Sequence, residues 1–355
     1  MSLERRRRPA ILAVDGGNSK ADALVVDRAG NVLGAARTVA PSNVGRSNGS
    51  ADLFDKVIAA AARRAGLEPA ARPLASLGMF CLAGADTARE ERGIERALSR
   101  RGWTRDTLVR NDTLAVLRAG TDRGWGIGVV CGAGINAVGV GPSGRTVRFA
   151  ALGELSGDHA AGGQWVGRAA LGAAVRALDG RGERTVLERI VPEHFGASNA
   201  EALARAMYRD RISSERLVEL PPAVFRAAAD GDTVARGILD QLADEVVAMA
   251  TAAITRLRVV DADVEVVLGG GMFRSHDPVF LERIRAGIGA IAPRATMTTL
   301  TVPPVVGAAL LGLDRIGASR KARARVRDAV THRSFAADRA RSRKRVARVP
   351  ATKEV

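Results

Sequence analysis

The sequence contains few cysteines and histidines. Among its 355 residues are two cysteines, Cys81 and Cys131, and four histidines. The cysteines form no Cys-x-x-Cys pair, and no two histidines have the spacing of metal ligands. These absences disfavour a structural zinc, a disulfide framework, and an iron–sulfur cluster with all its ligands in one chain. A reducing cytoplasm is therefore the expected compartment.

Long apolar runs are also missing. No run reaches the roughly 18 residues needed to cross a bilayer. The apolar stretch nearest the N-terminus, residues 11–14, ends at Asp15 and is too short for the core of a secretory signal. The sequence therefore predicts a protein that neither spans nor binds a membrane.

Lysine is scarce, since five of the 54 basic residues are lysines and the rest are arginines. Lys20 and Lys56 are the lysines that precede residue 321. A compact ammonium and a guanidinium are not interchangeable where an oxygen is contacted at one point. Lys20, which closes a glycine-containing turn, is therefore a candidate for such a contact.

The positive charge of the chain lies at its ends. The formal net charge is +16, of which residues 318–355 contribute +10 and residues 1–9 contribute +3. A body that is nearly neutral does not suggest a nucleic-acid partner. Residues 318–355 are predicted to form a basic, disordered tail, with attraction to phosphate or an anionic surface as the alternative.

Short strands alternate with helices, which predicts an α/β protein. Residues 11–14 form a predicted strand, a glycine turn follows, and residues 21–27 alternate like a second strand. A Rossmann or P-loop site has a helix directly after its glycines, so both folds are disfavoured. The same pattern returns in residues 127–140. This internal repeat predicts two similar lobes that offer glycine turns to one cleft.

The first glycine turn combines groups that bind polyphosphate. Backbone amides and the Lys20 ammonium suit phosphate oxygens, and Asp15 suits Mg2+, usually through water. An ordinary strand turn is the alternative. Two further glycine segments allow close approach of a ligand to the backbone: Gly132-Ala133-Gly134 as a second amide nest, and Gly269-Gly270-Gly271 for a flat group such as adenine.

Three polar residues have both a structural and a functional interpretation. Asp112 follows a strand and precedes a helix, so it is either a helix N-cap or a base that accepts the proton of a substrate hydroxyl. Asn43 either turns its loop or bonds a polyol. Asp158, between glycine-containing stretches, either caps a helix or binds sugar hydroxyls.

Taken in order, these segments resemble the N-acetylglucosamine kinase branch of the BadF/BadG/BcrA/BcrD ATPase family, within the sugar kinase, Hsp70 and actin superfamily. The resemblance covers roughly residues 10–315. The matching segments are Asp15-Gly16-Gly17-Asn18-Ser19-Lys20, Ala83-Gly84-Ala85-Asp86, Asn111-Asp112, Gly132-Ala133-Gly134-Ile135-Asn136, Gly157-Asp158, Gly269-Gly270-Gly271 and Gly307-Ala308-Ala309.

The resemblance implies an α/β fold with two ribonuclease-H-like domains of the actin and sugar-kinase type and an interdomain cleft. The N-terminal domain is expected to cover residues 10–112, and the C-terminal domain residues 113–300. Residues 301–317 are expected to form a helix that returns to the N-terminal domain, ahead of the tail.

The resemblance also implies roles for particular residues. Asp15 serves the metal, Asp112 is the catalytic base, and Asn43, Asn136 and Asp158 contact the sugar. The nucleotide would be bound by a first phosphate loop (Gly16, Gly17, Asn18, Ser19, Lys20), a second phosphate loop (Gly132, Ala133, Gly134) and an adenosine loop (Gly269, Gly270, Gly271).

The implied activity is ATP-dependent, Mg2+-requiring phosphorylation of an amino sugar or N-acetylhexosamine, such as N-acetylglucosamine or glucosamine, at the 6-hydroxyl. The resemblance leaves a homodimer open.

One alternative to the kinase is an ATPase that activates a partner enzyme and shares an iron–sulfur cluster between paired subunits, for which Cys81 and Cys131 are poorly placed. The other is a sugar-sensing regulator that uses the tail as its contact, although no helix-turn-helix segment is evident.

Overall fold

The structure is a computed structural model that describes residues 8–17, 20–38 and 50–335, without the side chains of 50–53 and 333–334. The predictions for Asn18, Ser19, Asn43 and residues 336–355 lie outside the described residues. The chain forms two compact units. The first extends to Gly124 and resumes at Leu300, and the second comprises Trp125–Thr299.

The first unit contains a five-stranded sheet in the order β3-β2-β1-β4-β5. Strand β2 is antiparallel to β1 and β3, whereas β1, β4 and β5 are mutually parallel. The strands are β1 (Pro9–Gly16), β2 (Ala21–Asp27), β3 (Val32–Thr38), β4 (Ala75–Leu82) and β5 (Thr104–Asn111). The helices are α1 (Ser50–Arg64), α2 (Ala88–Ser99), α3 (Asp112–Gly120) and, after the second unit, α10 (Val305–Arg315) and α11 (Arg320–Ala329).

Each face of this sheet is covered by helices. Leu12 and Val14 point to the face where Phe54 of α1 packs, and the alternate residues Ile11 and Ala13 point to the face covered by α10 and α11. Because both faces are buried, the central strands β1, β2 and β4 are nearly continuous apolar runs, and all seven residues of β2 are buried.

The second unit repeats this topology. Its sheet order is β10-β9-β6-β7-β8, with β7 antiparallel to its neighbours and β9 parallel to β6 and β10. The strands are β6 (Gly126–Cys131), β7 (Ile135–Val140), β8 (Thr146–Arg148), β9 (Glu265–Gly269) and β10 (Thr296–Thr299). The helices are α4 (Gly163–Leu178), α5 (Leu187–Phe195), α6 (Ala200–Tyr208), α7 (Pro221–Ala229), α8 (Thr233–Leu257) and α9 (Pro278–Ile291).

Both sheets therefore consist of an antiparallel three-stranded meander followed by two strands parallel to the first. This is the ribonuclease-H-like arrangement that the family resemblance implied for each domain. The division between the units falls after Gly124, later than the expected boundary at residue 112, since helix α3 packs in the first unit against α10.

The segment after residue 318 differs from the expected disordered tail. Helix α11 begins at the Ser319 cap, and Val326, Val330 and Phe335 are buried in the first unit. Arg327 also forms an ion pair with Asp122 at 2.9 Å. The high charge of this segment concealed the buried residues Ala322, Val326 and Val330, whose spacing of four is the pattern of an amphipathic helix.

Within the described ranges, no helix combines the length and the apolar character needed to span a membrane.

Candidate functional site

Three carboxylates lie at one edge of the first sheet. Asp15 lies at the end of β1, Asp86 follows β4, and Asp112 follows β5. These strands are parallel neighbours, so their carboxyl ends meet at the same edge. The charges of Asp15 and Asp86 both raise the pKa of the Asp112 carboxyl group.

Burial and mutual repulsion change the ionisation of this cluster. Removal from water, followed by the charges of Asp15 and Asp86, raises the pKa of Asp112 from 3.8 to about 7. Burial likewise raises the pKa of Asp15 to about 7, against the lowering effect of Lys20. A carboxylate with a pKa near neutrality is well matched to accepting and releasing a proton at physiological pH.

The helix N-cap at the start of α3 is Asn111. Its Oδ1 accepts a hydrogen bond from the Thr113 N–H at 3.1 Å. Its Nδ2 donates to Asp86 at 2.8 Å, and its own N–H donates to Glu91 at 3.1 Å. The capping alternative for Asp112 is therefore wrong.

Asp112 is the first residue of α3. The N–H groups of Thr113 and of Asp112 itself lower the pKa of its carboxyl group and offset part of the increase that burial causes. In the described part of the chain, no side chain donates a hydrogen bond to this carboxylate. The group can therefore accept a hydrogen bond from a substrate hydroxyl.

The first glycine turn joins β1 to β2. The Gly17 N–H donates to the Lys20 carbonyl at 2.9 Å, which closes the turn. The Lys20 ammonium donates to Asp22 at 3.2 Å. The structure thus brings Gly16, Gly17 and Lys20 to the edge that carries Asp15.

Sequence reasoning missed two charged residues behind this turn. Asp22 is fully buried, and Arg37 donates to both its carboxylate oxygens, at 2.5 and 2.6 Å. An acidic residue inside the apolar run of β2 was the available signal, because a buried carboxylate requires a cationic partner. Arg37 is the residue directly opposite Asp22 on β3.

The glycine segments of the second unit contact each other. The Gly132 N–H donates to the Gly134 carbonyl at 2.8 Å, which folds the turn between β6 and β7. Gly270, after β9, has a φ of +117°, and a Cβ there would lie 2.2 Å from the Cys131 carbonyl oxygen. The structure therefore places two predicted binding loops side by side: Gly132, Ala133, Gly134 and Gly269, Gly270, Gly271.

Helix α4 begins against the same loops. The Gly163 N–H donates to Gly132 at 2.8 Å, and the Gln164 N–H donates to Ala133 at 2.9 Å. These bonds fix the loop on the helix. The positive end of the helix dipole then faces the segment that was predicted to bind phosphate.

Two of the three predicted sugar-binding residues are described, and both lie in the second unit. Asp158 is 7% exposed and accepts a hydrogen bond from the Ser156 hydroxyl at 2.9 Å. Asn136, on β7, accepts a hydrogen bond from the Ala137 N–H at 2.7 Å.

No group of three or more His, Cys, Asp or Glu residues is arranged to hold a metal ion within the described residues. Mg2+ in phosphate-transfer sites commonly takes one or two carboxylates, with substrate phosphates and waters as its other ligands. The buried Asp15 carboxylate has the chemistry of such a ligand.

Both cysteines are buried and free. Burial raises the pKa of the Cys81 and Cys131 thiols above the usual value. Buried, protonated thiols are poor candidates for ligands to a cluster shared between subunits.

Residues 12–312 match the BadF/BadG/BcrA/BcrD ATPase family, and the chain belongs to that family. It is 25% identical over 303 residues to the N-acetylmuramic acid/N-acetylglucosamine kinase of Clostridium acetobutylicum, covering 85% of this chain and 97% of the relative. It is 26% identical over 326 residues to the N-acetyl-D-glucosamine kinase of Dictyostelium discoideum, with coverage of 85% and 97%.

Solved structures share the fold. A protein of Chromobacterium violaceum, named as a candidate N-acetylglucosamine kinase, has a TM-score of 0.69 at 24% identity, covering 86% of this chain and 99% of that chain. A ROK family glucokinase from Streptomyces griseus, solved with glucose and AMPPNP, has a TM-score of 0.57 at 18% identity, covering 86% and 98%. The predicted sugar-kinase fold class is confirmed.

Proposed function

We propose that this ATP-dependent sugar kinase phosphorylates an amino sugar or N-acetylated hexosamine, N-acetylglucosamine or glucosamine, at the 6-hydroxyl. Both curated relatives carry N-acetylglucosamine in their names. The observation that carries the proposal is the Asp112 carboxylate, which lies at a strand end with a pKa of about 7 and, among the described residues, without a side-chain partner.

In the proposed reaction, Asp112 accepts the proton of the acceptor hydroxyl as its oxygen attacks the γ-phosphorus of ATP. The bond between that phosphorus and the bridging β–γ oxygen breaks, and ADP leaves with the electron pair. The pKa of Asp112 allows the carboxylate to be ionised before the transfer and to release the proton afterwards.

Lys20 and the amides of the first glycine turn would offset charge on the transferring phosphoryl group. Asp15 would hold Mg2+, usually through water, and the ion would neutralise phosphate oxygens when bound. The roles of Asn18 and Ser19 in phosphate binding and of Asn43, Asn136 and Asp158 in sugar binding remain predictions. So do those of the second phosphate loop and the adenosine loop.

The direct test is an assay of ADP release from ATP with a panel of hexoses and hexosamines, with and without Mg2+. We expect turnover with N-acetylglucosamine or glucosamine that requires Mg2+, and a product phosphorylated at carbon 6 by 31P–13C correlation NMR. Turnover confined to sugars without an amino group would contradict the proposed substrate class. Phosphate at another carbon would contradict the proposed position.

The alternative of an ATPase that activates a redox partner is opposed by the two buried cysteines. Iron and sulfide analysis of anaerobically purified protein distinguishes the two functions, because the kinase requires neither element.

A further inference from the structure

A row of charged residues crosses the first sheet at the base of the first glycine turn. Asp15, Asp22 and Arg37 are direct register partners on β1, β2 and β3. Residues that lie opposite each other in antiparallel strands point to the same face. The row therefore lies on the face that α10, α11 and Phe335 cover.

Asp22 is the centre of this row. It is fully buried, so its charge requires cationic partners. Arg37 donates to both carboxylate oxygens, and Lys20 donates to one of them at 3.2 Å. Because Arg37 supplies a two-point contact, Asp22 stays neutralised when the Lys20 ammonium moves toward another anion. Arg37 thus lowers the penalty for Lys20 to leave Asp22.

Phe335 covers the guanidinium of Arg37. The Arg37 carbon Cζ lies 4.5 Å from the centre of the Phe335 ring, and Phe335 is 0% exposed. A guanidinium that stacks on an aromatic ring and is shielded from water forms stronger ion pairs. Phe335 belongs to the segment after α11, beyond residue 312, where the match to the family ends.

We propose that Phe335 is a positioning residue for the first glycine turn. It holds Arg37 on Asp22, and this pair sets the position from which Lys20 reaches a nucleotide phosphate. The C-terminal segment thereby tunes nucleotide affinity without touching the nucleotide. The phosphate contact of Lys20 rests on the proposed function.

The test compares Phe335→Leu with Phe335→Tyr in the full-length protein. Leucine keeps an apolar side chain but removes the aromatic face, whereas tyrosine keeps that face. AMPPNP binding is measured by calorimetry with Mg2+. We expect Phe335→Leu to weaken this binding about three- to tenfold and Phe335→Tyr to retain most of the wild-type affinity.

A second measurement does not depend on nucleotide or turnover. An amine-acylating reagent labels lysines, and mass spectrometry gives the rate at Lys20 relative to the exposed Lys56. We expect Phe335→Leu to decrease the relative rate at Lys20 about threefold or more, because Asp22, less completely neutralised by Arg37, holds the Lys20 ammonium more firmly. Arg37→Lys keeps the charge and loses the two-point contact. It should change each measurement in the same direction as Phe335→Leu does.

Val326→Ala is the matched control, because it loosens the packing of the same segment and keeps the Phe335 ring that covers Arg37. It should lower the melting temperature and leave both measurements unchanged. Equal effects of Val326→Ala and Phe335→Leu, or unchanged Lys20 labelling or AMPPNP affinity in Phe335→Leu, would overturn the proposal. Failure of the proposed function appears separately, as wild-type protein that binds AMPPNP but phosphorylates no sugar.

Discussion

Asp112 and Asn111 are neighbours in sequence with different tasks. Asn111 uses its side chain for the helix cap and for Asp86, so Asp112, at the first helical position, is not the cap and can serve as the proposed base. Sequence alone left both interpretations of Asp112 open, since either residue can cap a helix. Which of the two residues caps the helix depends on where β5 ends. The pairing of β5 with β4 sets that end at Asn111.

Replacement of Asp112 by asparagine should remove the proton acceptor and keep the shape of the side chain. We expect Asp112→Asn to lower kcat for sugar phosphorylation about 10²- to 10⁴-fold, with nucleotide affinity near that of the wild type. Steady-state assays and AMPPNP calorimetry measure the two effects. A variant with full activity would contradict the assignment of Asp112 as the base.

The same substitution should stabilise the protein. The pKa of Asp112 is about 7 in the folded protein and near 3.8 when unfolded, so the folded state binds more protons between these values and loses stability as pH rises through that range. That difference corresponds to roughly 4 kcal/mol for an isolated group, and relaxation reduces it. We expect Asp112→Asn to increase the free energy of unfolding at about pH 8 by about 1–3 kcal/mol.

Urea denaturation at several pH values measures this gain. It should shrink as the pH falls below 7 and vanish near pH 4. Asp106→Asn, at an exposed position on β5, is the control and should change stability by less than about 0.5 kcal/mol at every pH. A gain independent of pH would contradict the electrostatic origin.

The pH dependence of turnover follows from the same group. Because the base acts as the carboxylate, kcat/KM for the sugar should rise with pH and level off above an apparent pKa of about 7. Since Asp15 and Asp112 interact, that value belongs to the pair. A profile that is flat between about pH 5 and pH 8 would show that neither carboxylate limits the reaction.

Among the elements, the glycine turns after β6 and β9 depend on close backbone contact. The strands and turns themselves could be predicted, because glycine positions and the alternation of apolar residues are local features of the sequence. The contact between them could not be predicted, because it depends on β9 pairing with β6 across more than a hundred intervening residues.

Gly270→Ala tests this contact. A Cβ at position 270 would meet the Cys131 carbonyl and would be strained at a φ of +117°. We expect a loss of about 2 kcal/mol or more in the free energy of unfolding and weaker AMPPNP binding. Denaturation and calorimetry provide the readouts.

Gly289→Ala in helix α9 is the matched control, because a Cβ there has no atom within 4 Å. It should be neutral or stabilise the protein by up to about 1 kcal/mol. An equal loss in both variants would show that the contact at Gly270 is not the cause.

For the molecule as a whole, the sequence predicted the repeated α/β units but misjudged the segment after residue 318. The repeat was visible because each unit begins with the same succession of strand, glycine turn and strand. The C-terminal helix was missed because thirteen basic residues after residue 317 dominate the composition. Burial of Val326, Val330 and Phe335 outweighs the repulsion among charges that face water.

Deletion of residues 319–355 should therefore destabilise the protein. Loss of the apolar contacts of α11 and Phe335 is expected to lower the melting temperature by about 10 °C or more. Differential scanning fluorimetry measures the change. Arg320→Ala combined with Lys321→Ala removes two exposed charges and keeps the buried contacts, so it should leave the melting temperature within about 2 °C. A truncated protein as stable as the full chain would contradict the packing role.

The return of α10 and α11 to the first sheet has a consequence during synthesis. The second unit is continuous and can complete its core as soon as its last strand leaves the ribosome. The first unit cannot complete its core at that stage. One face of its earliest strands stays uncovered until helices encoded nearly 300 residues later have been synthesised. The part of the protein that is translated first is thus finished last, and nascent chains should present an apolar sheet face to chaperones until translation ends.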